Sequence, residues 1–484
     1  MGREEQIINE RKRKIAELRK QGINPYVYKF DKTQSCAECV KSKTGGKVKT
    51  AGRLMTYRDL GKIAFGNLRD MGGDVQIVLQ EGKTPEKIRE FAKKYVDTGD
   101  FVGVEGKIIK TKTGQISVLV NKLELLTKSI LPLPDKWHGL QDKEERYRKR
   151  YLDLVMNPEV RGVFEKRQQI INAIREYLVK ENYVEVQTPI LQPIYGGTNA
   201  KPFDSKLNAL DMKVYMRISN EMYLKRLIGG GYEKVFEFSP DFRNEGIDKL
   251  HNPEFTQVET MWAYADYKDN MKLWEKVIEF IVKRVHGKTR IEIGGNKIDF
   301  KIPWAKVKFL DAIKKYAKID FTKFKSLEEA KKAAEKIGID TQGVLDIGKL
   351  MIEVFEAKVQ PNIIQPSMIY DYPQEAAILS RAENGIAKSF EVIINGWEIA
   401  LSYCEENDPA ALRAKWEQQE KALKRGDEEA QKMDEDFLNM LQQGMPPTSG
   451  LGMGIDRLVM LLTNQASIRD VILFPFMKPE KEGK

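Results

Sequence analysis

The segment Leu131-Pro132-Leu133-Pro134 places the strongest constraint on how this chain can fold. Each proline fixes its own φ angle and lacks a backbone N–H, so the pair can continue neither a helix nor a central β-strand. A segment of this kind is typical of a linker between domains. The sequence therefore predicts one domain over residues 1–135 and a second over residues 136–484.

Charge is distributed unevenly between these two parts. The chain of 484 residues has a formal net charge of +10. Residues 1–135 hold 27 Lys and Arg against 17 Asp and Glu, whereas the remaining residues hold 54 of each kind. A basic excess favours a polyanionic partner, most simply a nucleic acid. A solvated basic surface explains the same excess, so both interpretations stay open.

The N-terminal part has the pattern of a small β-barrel. Helices are predicted near residues 4–20 and 85–95. Strand-like runs occupy residues 48–56, 63–68, 75–79, 101–109 and 116–126. Five strands with a helix after the third suit the OB-type barrel, a Greek-key fold that often binds oligonucleotides.

The second part mixes strands and helices irregularly, which indicates an α+β domain. Apolar residues recur at helical spacing between Phe164 and Leu178. Residues 304–360 have the pattern of a helical insertion, and residues 408–443 that of a charged helical stretch. The predicted fold class is therefore α+β, with a barrel followed by a larger mixed domain.

The N-terminus and the cysteines argue against several classes of protein. Residues Met1 to Lys14 are highly charged and lack the apolar core of a signal peptide, and no run approaches the apolar length of a membrane span. Three cysteines do not form a disulfide framework, which favours a reducing, cytoplasmic location. Cys36 and Cys39 form a C-x-x-C pair without a second pair to complete a zinc site, so a metal or redox role there is disfavoured.

The segment from Phe236 to Gly246, F-E-F-S-P-D-F-R-N-E-G, has the residue types of a nucleotide pocket. With the run H-N-P-E-F at residues 251–255, we interpret it as a strand, a loop and a strand. The planar guanidinium of Arg243 can form bidentate hydrogen bonds to a phosphate, and the ring of Phe255 can stack on a purine. Taken alone, such residues are more often a surface ion-pair partner and a core aromatic.

A second arginine, Arg457, ends a glycine-rich run that starts at Gly450 (G-L-G-M-G-I-D-R). Glycines allow a ligand to approach the backbone closely, although they also occur in ordinary turns. Two arginines on separate motifs can hold both ends of a triphosphate. Together, Arg243 and Arg457 predict an ATP pocket.

The motifs taken together resemble those of class II aminoacyl-tRNA synthetases, and most closely those of the lysyl-tRNA synthetases. Residues 185–189 (E-V-Q-T-P) resemble the first class II motif, residues 243–255 the second and residues 450–457 the third. Three motifs in this order and spacing are a much stronger signal than any one of them. Further similar segments extend the resemblance over nearly the whole chain: 131–140, 146–154, 196–197 and 263–267.

The resemblance implies both a fold and a reaction. The fold is an antiparallel sheet flanked by helices in the catalytic domain, an anticodon-binding barrel, and a homodimer with the first motif at its interface. The reaction is ATP-dependent ligation of lysine to tRNA(Lys) through a lysyl-adenylate. Such phosphorus-centred chemistry depends on positioning and charge neutralisation, so a dedicated protein base is not demanded.

The resemblance also assigns residues to ATP. Arg243 and Arg457 are implied to be catalytic and to bind the α- and γ-phosphates, and Phe255 is implied to stack on adenine. The implied ATP-binding residues are Arg243, Glu245, His251, Asn252, Phe255, Glu391 and Arg457. Glu391 and Glu398 are implied to bind Mg²⁺, which takes few protein oxygens beside those of phosphates.

Acidic positions are implied to bind the amino acid, because a buried ammonium group is costly without a carboxylate partner. By resemblance, Glu221 and Gly197 meet the α-amino end, and Glu259 and Glu405 meet the ε-ammonium. Tyr403 is implied to line the side of the amino-acid pocket.

In the barrel, Phe65 and Gln76 match positions that contact the anticodon in this family, by stacking and by hydrogen bonding. Lys122 stands where the family often has a glutamate, a departure that bears on base-specific readout of the anticodon.

The sequence departs from the family pattern near the expected pocket. Met261, Leu401 and Asn220 stand where lysyl enzymes commonly have a tyrosine, an asparagine and a proline, and residues 376–378 (A-A-I) replace V-S-P. Two alternatives to a lysine ligase therefore remain: a class II paralogue that activates another amino acid, and a non-catalytic RNA-binding relative. An enzyme that attaches a lysine-like group to a protein is less favoured, because the barrel is present.

Overall fold

The computed structural model describes residues 2–134, 140–424 and 431–480. The chain divides into two compact units, Met1–Gln141 and Asp142–Lys484. The boundary predicted between residues 135 and 136 lies outside the described residues, as do parts of the predicted segments 131–140 and 408–443. No helix in the described ranges is long and apolar enough to cross a membrane.

The first unit is built around a closed β-barrel. Its elements are α1 (Arg3–Lys20), α2 (Cys36–Lys41), β1 (Lys47–Asp59), β2 (Ile63–Arg69), β3 (Asp74–Gln80), α3 (Glu86–Tyr95), β4 (Phe101–Lys110) and β5 (Ile116–Thr127). The strands close in the order β1-β2-β3-β5-β4, with β3 and β5 parallel and the other neighbours antiparallel. The predicted OB-type barrel, with a helix after its third strand, is confirmed.

Alternation of side chains along β2 separates the inside of the barrel from a candidate binding face. Ala64, Gly66 and Leu68 are buried, whereas Phe65 is only half-buried. A Cβ on Gly66 would lie 2.8 Å from Leu54 Cδ1 and 3.0 Å from Ile77 Cγ1, so side chains of the barrel core already fill the space at this position. Because successive side chains of a strand point to opposite faces, Phe65 lies on the outer face of the barrel.

Cys36 and Cys39 lie buried in the apolar core of this barrel unit. Burial raises the pKa of the Cys36 thiol to about 12 and also raises that of Cys39. A buried thiol of this kind behaves as a small apolar side chain.

The second unit contains a large mixed sheet and many helices. Its helices are α4 (Lys143–Arg148), α5 (Arg150–Met156), α6 (Glu159–Lys180), α7 (Glu221–Gly229), α8 (Tyr267–His286), α9 (Phe309–Tyr316), α10 (Leu327–Glu335), α11 (Ile347–Val354), α12 (Pro409–Lys424), α13 (Glu435–Gln443), α14 (Ile455–Thr463) and α15 (Ile468–Val471). Its strands are β6 (Val184–Glu185), β7 (Leu191–Gln192), β8 (Asp204–Leu207), β9 (Met212–Met216), β10 (Lys234–Phe242), β11 (Glu254–Ala263), β12 (Arg290–Ile293), β13 (Asn296–Asp299), β14 (Ala305–Lys308), β15 (Ser367–Tyr370), β16 (Ala382–Glu383), β17 (Ile386–Ala387), β18 (Ser389–Ile394), β19 (Trp397–Cys404) and β20 (Thr448–Gly454).

The main sheet has the strand order β14-β15-β18-β19-β20-β11-β10-β6. Its pairs are antiparallel from β15 to β10, and only the edge strands β14 and β6 pair in parallel. One apolar cluster joins the sheet to α6, α8 and α14, and includes Ile174, Trp274, Phe390 and Leu458. The expected antiparallel sheet flanked by helices is confirmed.

Residues 304–360 comprise β14, helices α9 to α11, and short 3₁₀ and π segments. They pack around a second apolar cluster in which the ring centroids of Phe309 and Tyr372 lie 4.5 Å apart. The hydroxyl of Tyr372 donates a 2.7 Å hydrogen bond to Glu391 on β18. This cluster therefore helps to position one of the predicted metal ligands.

Candidate active site

Three neighbouring strands of the main sheet, β11, β20 and β19, form the floor of a cavity. Gly452 on β20 pairs with Glu259 on β11 and with Leu401 on β19, and Gly450 pairs with Met261 and Tyr403 in the same way. Because side chains alternate along strands, paired residues and their neighbours two positions away share one face. The glycines of β20 thus lie between two rows of larger side chains.

That face is open above Gly452 but is occupied by side chains above Gly450. A Cβ on Gly452 would meet nothing within 4 Å, whereas a Cβ on Gly450 would clash with Glu405 Oε1 and lie 2.8 Å from Met261 Sδ. The resulting cavity has a volume of about 280 Å³. The glycine-rich run of the sequence therefore provides space above the sheet.

Most of the site residues predicted from the sequence meet in this cavity. They are Gly197, Glu221, Arg243, Glu245, His251, Asn252, Phe255, Glu259, Glu398, Tyr403, Glu405 and Arg457. Met261 and Leu401, two of the departures from the family pattern, also line it. Asn220, the third, is buried nearby, and its Nδ2 donates a 3.1 Å hydrogen bond to Glu237 Oε2.

One end of the cavity carries Arg243 next to an aromatic ring. The Arg243 guanidinium lies 4.9 Å from the centroid of the Phe255 ring, and its Nε donates a 3.4 Å hydrogen bond to the carbonyl of Ile218. Burial lowers the pKa of Arg243, and the carboxylates of Asp241 and Glu245 only partly oppose that effect. Such a cation has donors available for an anionic ligand.

Arg457 forms the second cationic group at this end. Its Nη1 donates a 3.3 Å hydrogen bond to Glu398 Oε2, and its Nη2 lies 3.1 Å from His251 Nε2. His251 Nδ1 lies in turn 2.8 Å from Asp248 Oδ2. Asn252 lies beneath, with its Oδ1 buried and without a hydrogen-bond partner in the described chain. This end of the cavity therefore combines the N–H donors of Arg457 with an acceptor, Asn252 Oδ1, that has no partner in the described chain.

Asp456 holds Arg457 and Phe255 in their relative places. Its Oδ1 accepts a 2.6 Å hydrogen bond from Arg167 Nη1, and its Oδ2 accepts one of 2.6 Å from the backbone N–H of Thr256. Thr256 follows Phe255 on β11, and Asp456 precedes Arg457 in the first turn of α14. A buried carboxylate therefore joins the second and third motifs.

Glu391 and Glu398 lie on the hairpin of β18 and β19, whose turn is Asn395-Gly396. Burial raises the pKa of Glu391, and the negative charge of Glu398 raises it further. A buried carboxylate whose ionisation is opposed by a neighbouring carboxylate suits a hard divalent cation, which is bound by oxygen ligands. These two residues therefore fit the implied metal, although Glu391 does not line the cavity and no cluster of three or more metal-type ligands occurs in the described ranges.

The opposite end of the cavity is rich in carboxylates. Tyr403 donates a 2.7 Å hydrogen bond from its hydroxyl to Glu221 Oε2. Gln257 Nε2 donates one of 3.1 Å to Glu259 Oε2. Burial raises the pKa of Glu259 well above its usual range, and the nearby carboxylates of Glu221, Asp241 and Glu405 add to the effect. An ammonium group would relieve this accumulation of negative charge.

Several residues at the site were missed by the sequence interpretation. Lys225 lies among the carboxylates and forms ion pairs with Glu221 and Glu405. The spacing of Glu221 and Lys225, four residues apart on a helix, was a detectable signal. Buried Arg217 bonds to Glu237 at 2.7 Å and also pairs with Asp241, and nothing local in the sequence indicated these contacts.

In the barrel unit, Phe65 and Gln76 lie on adjacent strands and line one shallow groove. Gln76 Oε1 accepts a 2.8 Å hydrogen bond from Ser117 Oγ, which leaves its amide nitrogen for other partners. Lys122 lies in a different groove and forms a 3.0 Å ion pair with Glu105. The structure thus brings the two anticodon candidates together.

Comparison with known proteins identifies the family. A family model described as tRNA synthetases class II (D, K and N) matches residues 142–478, and one described as an OB-fold nucleic acid binding domain matches residues 48–126. A lysine–tRNA ligase of Clostridium perfringens is 44% identical over 492 residues, covering 99% of this chain and 98% of the relative. Those of Pelotomaculum thermopropionicum and Nostoc punctiforme are 46% and 45% identical, each over 99% of this chain and over 97% and 88% of the relative. The chain therefore belongs to the lysine–tRNA ligase family of class II tRNA synthetases.

Proposed function

We propose that this cavity activates lysine with ATP before lysine is joined to tRNA. The observation that carries the proposal is the distribution of charge in the cavity. Arg457 lies beside Gly454 and acts electrostatically on Arg243, whereas Glu405 lies beside Gly450 and interacts with Glu221 and Glu259. ATP is anionic and lysine carries two ammonium groups, so each substrate has an end of matching charge. The alternatives of a paralogue for another amino acid or a non-catalytic relative are not favoured, because the relatives named above are lysine–tRNA ligases.

In the first step, an oxygen of the lysine carboxylate attacks the α-phosphorus of ATP. The bond between that phosphorus and the bridging oxygen of the pyrophosphate breaks, which yields a lysyl-adenylate and pyrophosphate. We assign Arg243 to the α-phosphate and Arg457, with His251, to the outer phosphates. Fixed cations that face the charge developing on phosphate oxygens stabilise the transition state without reorganisation.

We assign Phe255 to adenine stacking, with Glu245 and Asn252 at the edge of the nucleotide. The Arg243 guanidinium lies over the Phe255 ring, 4.9 Å from its centroid, so the groups assigned to adenine and to the α-phosphate are close together. Glu391 and Glu398 are the residues that would hold a metal ion, for which we propose Mg²⁺. A bound Mg²⁺ would neutralise negative charge on the phosphates.

We assign the carboxylate-rich end of the cavity to the binding of the two amino groups of lysine. Glu221 and the backbone of Gly197 are placed at the α-amino group, and Glu259 and Glu405 at the ε-ammonium. Gly197 has a φ of +96°, and a Cβ there would lie 2.8 Å from Ser219 Oγ, so only glycine brings this backbone so near. Tyr403 is placed along the side of the pocket, where its bond to Glu221 fixes both side chains.

In the second step, a hydroxyl of the terminal ribose of tRNA attacks the activated carbonyl and AMP leaves. We propose that the barrel unit binds the anticodon, with Phe65 stacking on a base and Gln76 donating a hydrogen bond. Their shared groove supports this assignment. We propose tRNA(Lys) as the tRNA.

We also propose a homodimer and a cytoplasmic location. Large apolar side chains are exposed on the short strands that follow the first motif and on the turn between β8 and β9, among them Leu191 at 54% and Leu210 at 68%. A second copy of the chain would cover such a patch. Cys36, Cys39 and Cys404 are free thiols, which suits a reducing compartment. Light scattering at several protein concentrations tests the dimer.

One experiment tests the proposed activity: exchange of labelled pyrophosphate into ATP, screened across all amino acids. We expect lysine to support exchange and uncharged amino acids of similar length to fail. Arg243→Gln is the control, since it keeps a hydrogen-bonding side chain but removes the charge at the phosphate end. Preferential exchange with an uncharged amino acid in the unmodified protein would overturn the lysine assignment.

A further inference from the structure

A buried lysine lies inside the proposed amino-acid pocket. Lys225, on α7, is 2% exposed. Its Nζ forms ion pairs with Glu221 Oε1 and with Glu405 Oε2, and it lies 5.7 Å from the centroid of the Tyr403 ring. The Tyr403 hydroxyl bonds to the other oxygen of Glu221. Lys225 therefore links a carboxylate on a helix to one at the end of a strand of the main sheet.

The charges around Lys225 match those of a diamino acid. Among the described residues, this end of the cavity carries the carboxylates of Glu221, Glu259 and Glu405. With these ionised, Lys225 reduces their combined charge from −3 to −2. An α-amino group and a side-chain amine together bring +2. An amino acid with one amine would leave a buried carboxylate without a partner, which is unfavourable.

Glu405 is the second carboxylate that Lys225 contacts. Both of its side-chain oxygens are buried, and Oε2 is ion-paired to Lys225. Oε1 lies against the backbone of Gly450, where a Cβ would clash with it. Lys225 and strand β20 thus hold this carboxylate in place from two sides.

We propose that Lys225 is a positioning residue for the amino-acid substrate, which links Glu221 to Glu405 and sets the charge that they present to a diamino acid. This inference rests on the proposed activation of lysine in the cavity. Lys225 acts through the two carboxylates, so its removal should affect lysine far more than ATP.

The pH dependence of lysine use reports on this role. The charged and titratable groups that face Lys225 are Glu221 on its own helix, Tyr403 and Glu405 at β19, and Glu259 on β11, with Asp241 on β10 behind them. Burial raises the pKa of Glu405, and the positive charge of Lys225 opposes that rise. Without Lys225, ionisation of the pocket should therefore require a higher pH.

The test is pyrophosphate exchange with Lys225→Met and Lys225→Gln, two neutral variants of similar length, and with Lys225→Arg, which keeps the charge. In the folded neutral variants we expect the KM for lysine to rise about tenfold or more, the KM for ATP to stay within about twofold, and the acidic limb of kcat/KM for lysine to move up by about one pH unit. In Lys225→Arg, the acidic limb of kcat/KM for lysine should stay at the pH where it lies in the unmodified protein.

A matched control removes a similar lysine away from the cavity. Lys128, in the barrel unit, is also buried and is ion-paired to Asp97 and Asp100. Lys128→Met should lower the melting temperature without changing the KM for lysine.

Three results would overturn the inference: an unchanged KM for lysine in the neutral variants, equal changes in both KM values, or a raised KM for lysine with an unmoved pH profile, which is the signature of lost packing alone. If the unmodified protein shows no exchange with lysine, the proposed function fails instead.

Discussion

The variant Gly452→Ala tests most directly whether a substrate lies against the main sheet. The added Cβ would meet no protein atom within 4 Å, and the backbone of Gly452 does not have the positive φ that disfavours alanine. The methyl group would therefore project into the cavity between Glu259 and Leu401, its partners on the neighbouring strands. Any loss of activity would come from the space that it takes from a ligand.

The structure separates the expected effects on stability and on activity. Replacing glycine by alanine in a compatible conformation stabilises a protein by about 0.4–1 kcal/mol, so the melting temperature should be unchanged or slightly higher. An extra methyl group in a filled site costs about 1–3 kcal/mol. Applied to a bound substrate, that penalty weakens binding by about 5- to 150-fold.

The assay is pyrophosphate exchange with lysine and ATP varied separately, together with thermal unfolding. Gly450→Ala is the matched control two residues away, where a Cβ would clash with Glu405 and approach Met261, so that variant should lose stability as well as activity. Normal KM values for both substrates in Gly452→Ala would show that no ligand lies against this strand. A lower melting temperature would show that the space above Gly452 is not free.

Three further predictions follow from the assigned roles. Glu391→Gln and Glu398→Gln should each suppress exchange across a Mg²⁺ titration without unfolding the protein, and normal exchange in both would refute the metal assignment. Phe65→Ala should weaken aminoacylation of tRNA by about 1–3 kcal/mol yet spare adenylate synthesis, whereas equal losses would indicate misfolding. Because burial raises the pKa of Glu405 to about 8 and raises that of Glu259, and both must ionise to bind an ammonium group, kcat/KM for lysine should rise with pH through that range. A profile already flat at about pH 6 would contradict this.

Two arrangements in the site are set by short segments and could be predicted from those segments alone. Arg243 and Phe255 are brought together by one hairpin, β10 and β11. Glu391 and Glu398 are placed by a turn in which Asn395 and Gly396 both have positive φ, as a two-residue hairpin of this kind requires. Local chemistry decides these geometries, so a motif is sufficient to indicate them.

The parts that sequence interpretation missed depend on distant segments. The helical spacing of Glu221 and Lys225 indicates one ion pair, but the pairing of Lys225 with Glu405 depends on how α7 packs beside β19. Likewise, Arg167 reaches Asp456 across 289 positions of the chain. Such contacts follow from the packing of the whole sheet, and no periodicity in the sequence encodes them.

The register of the sheet also explains how the pocket accommodates its unusual apolar residues. Met261 and Leu401 lie on the same face as the carboxylates, one beside Gly450 and the other beside Gly452. Both line the cavity, and we expect them to contact the carbon chain of a bound substrate while charged groups bind its ends. A missing hydrogen bond from a tyrosine costs about 0.5–1.5 kcal/mol, but a buried charge left without its partner costs about 3–5 kcal/mol. Apolar neighbours strengthen that difference because they exclude water from the ion pairs. We therefore expect Glu259 and Glu405 to select for an ammonium group despite the departures from the family pattern.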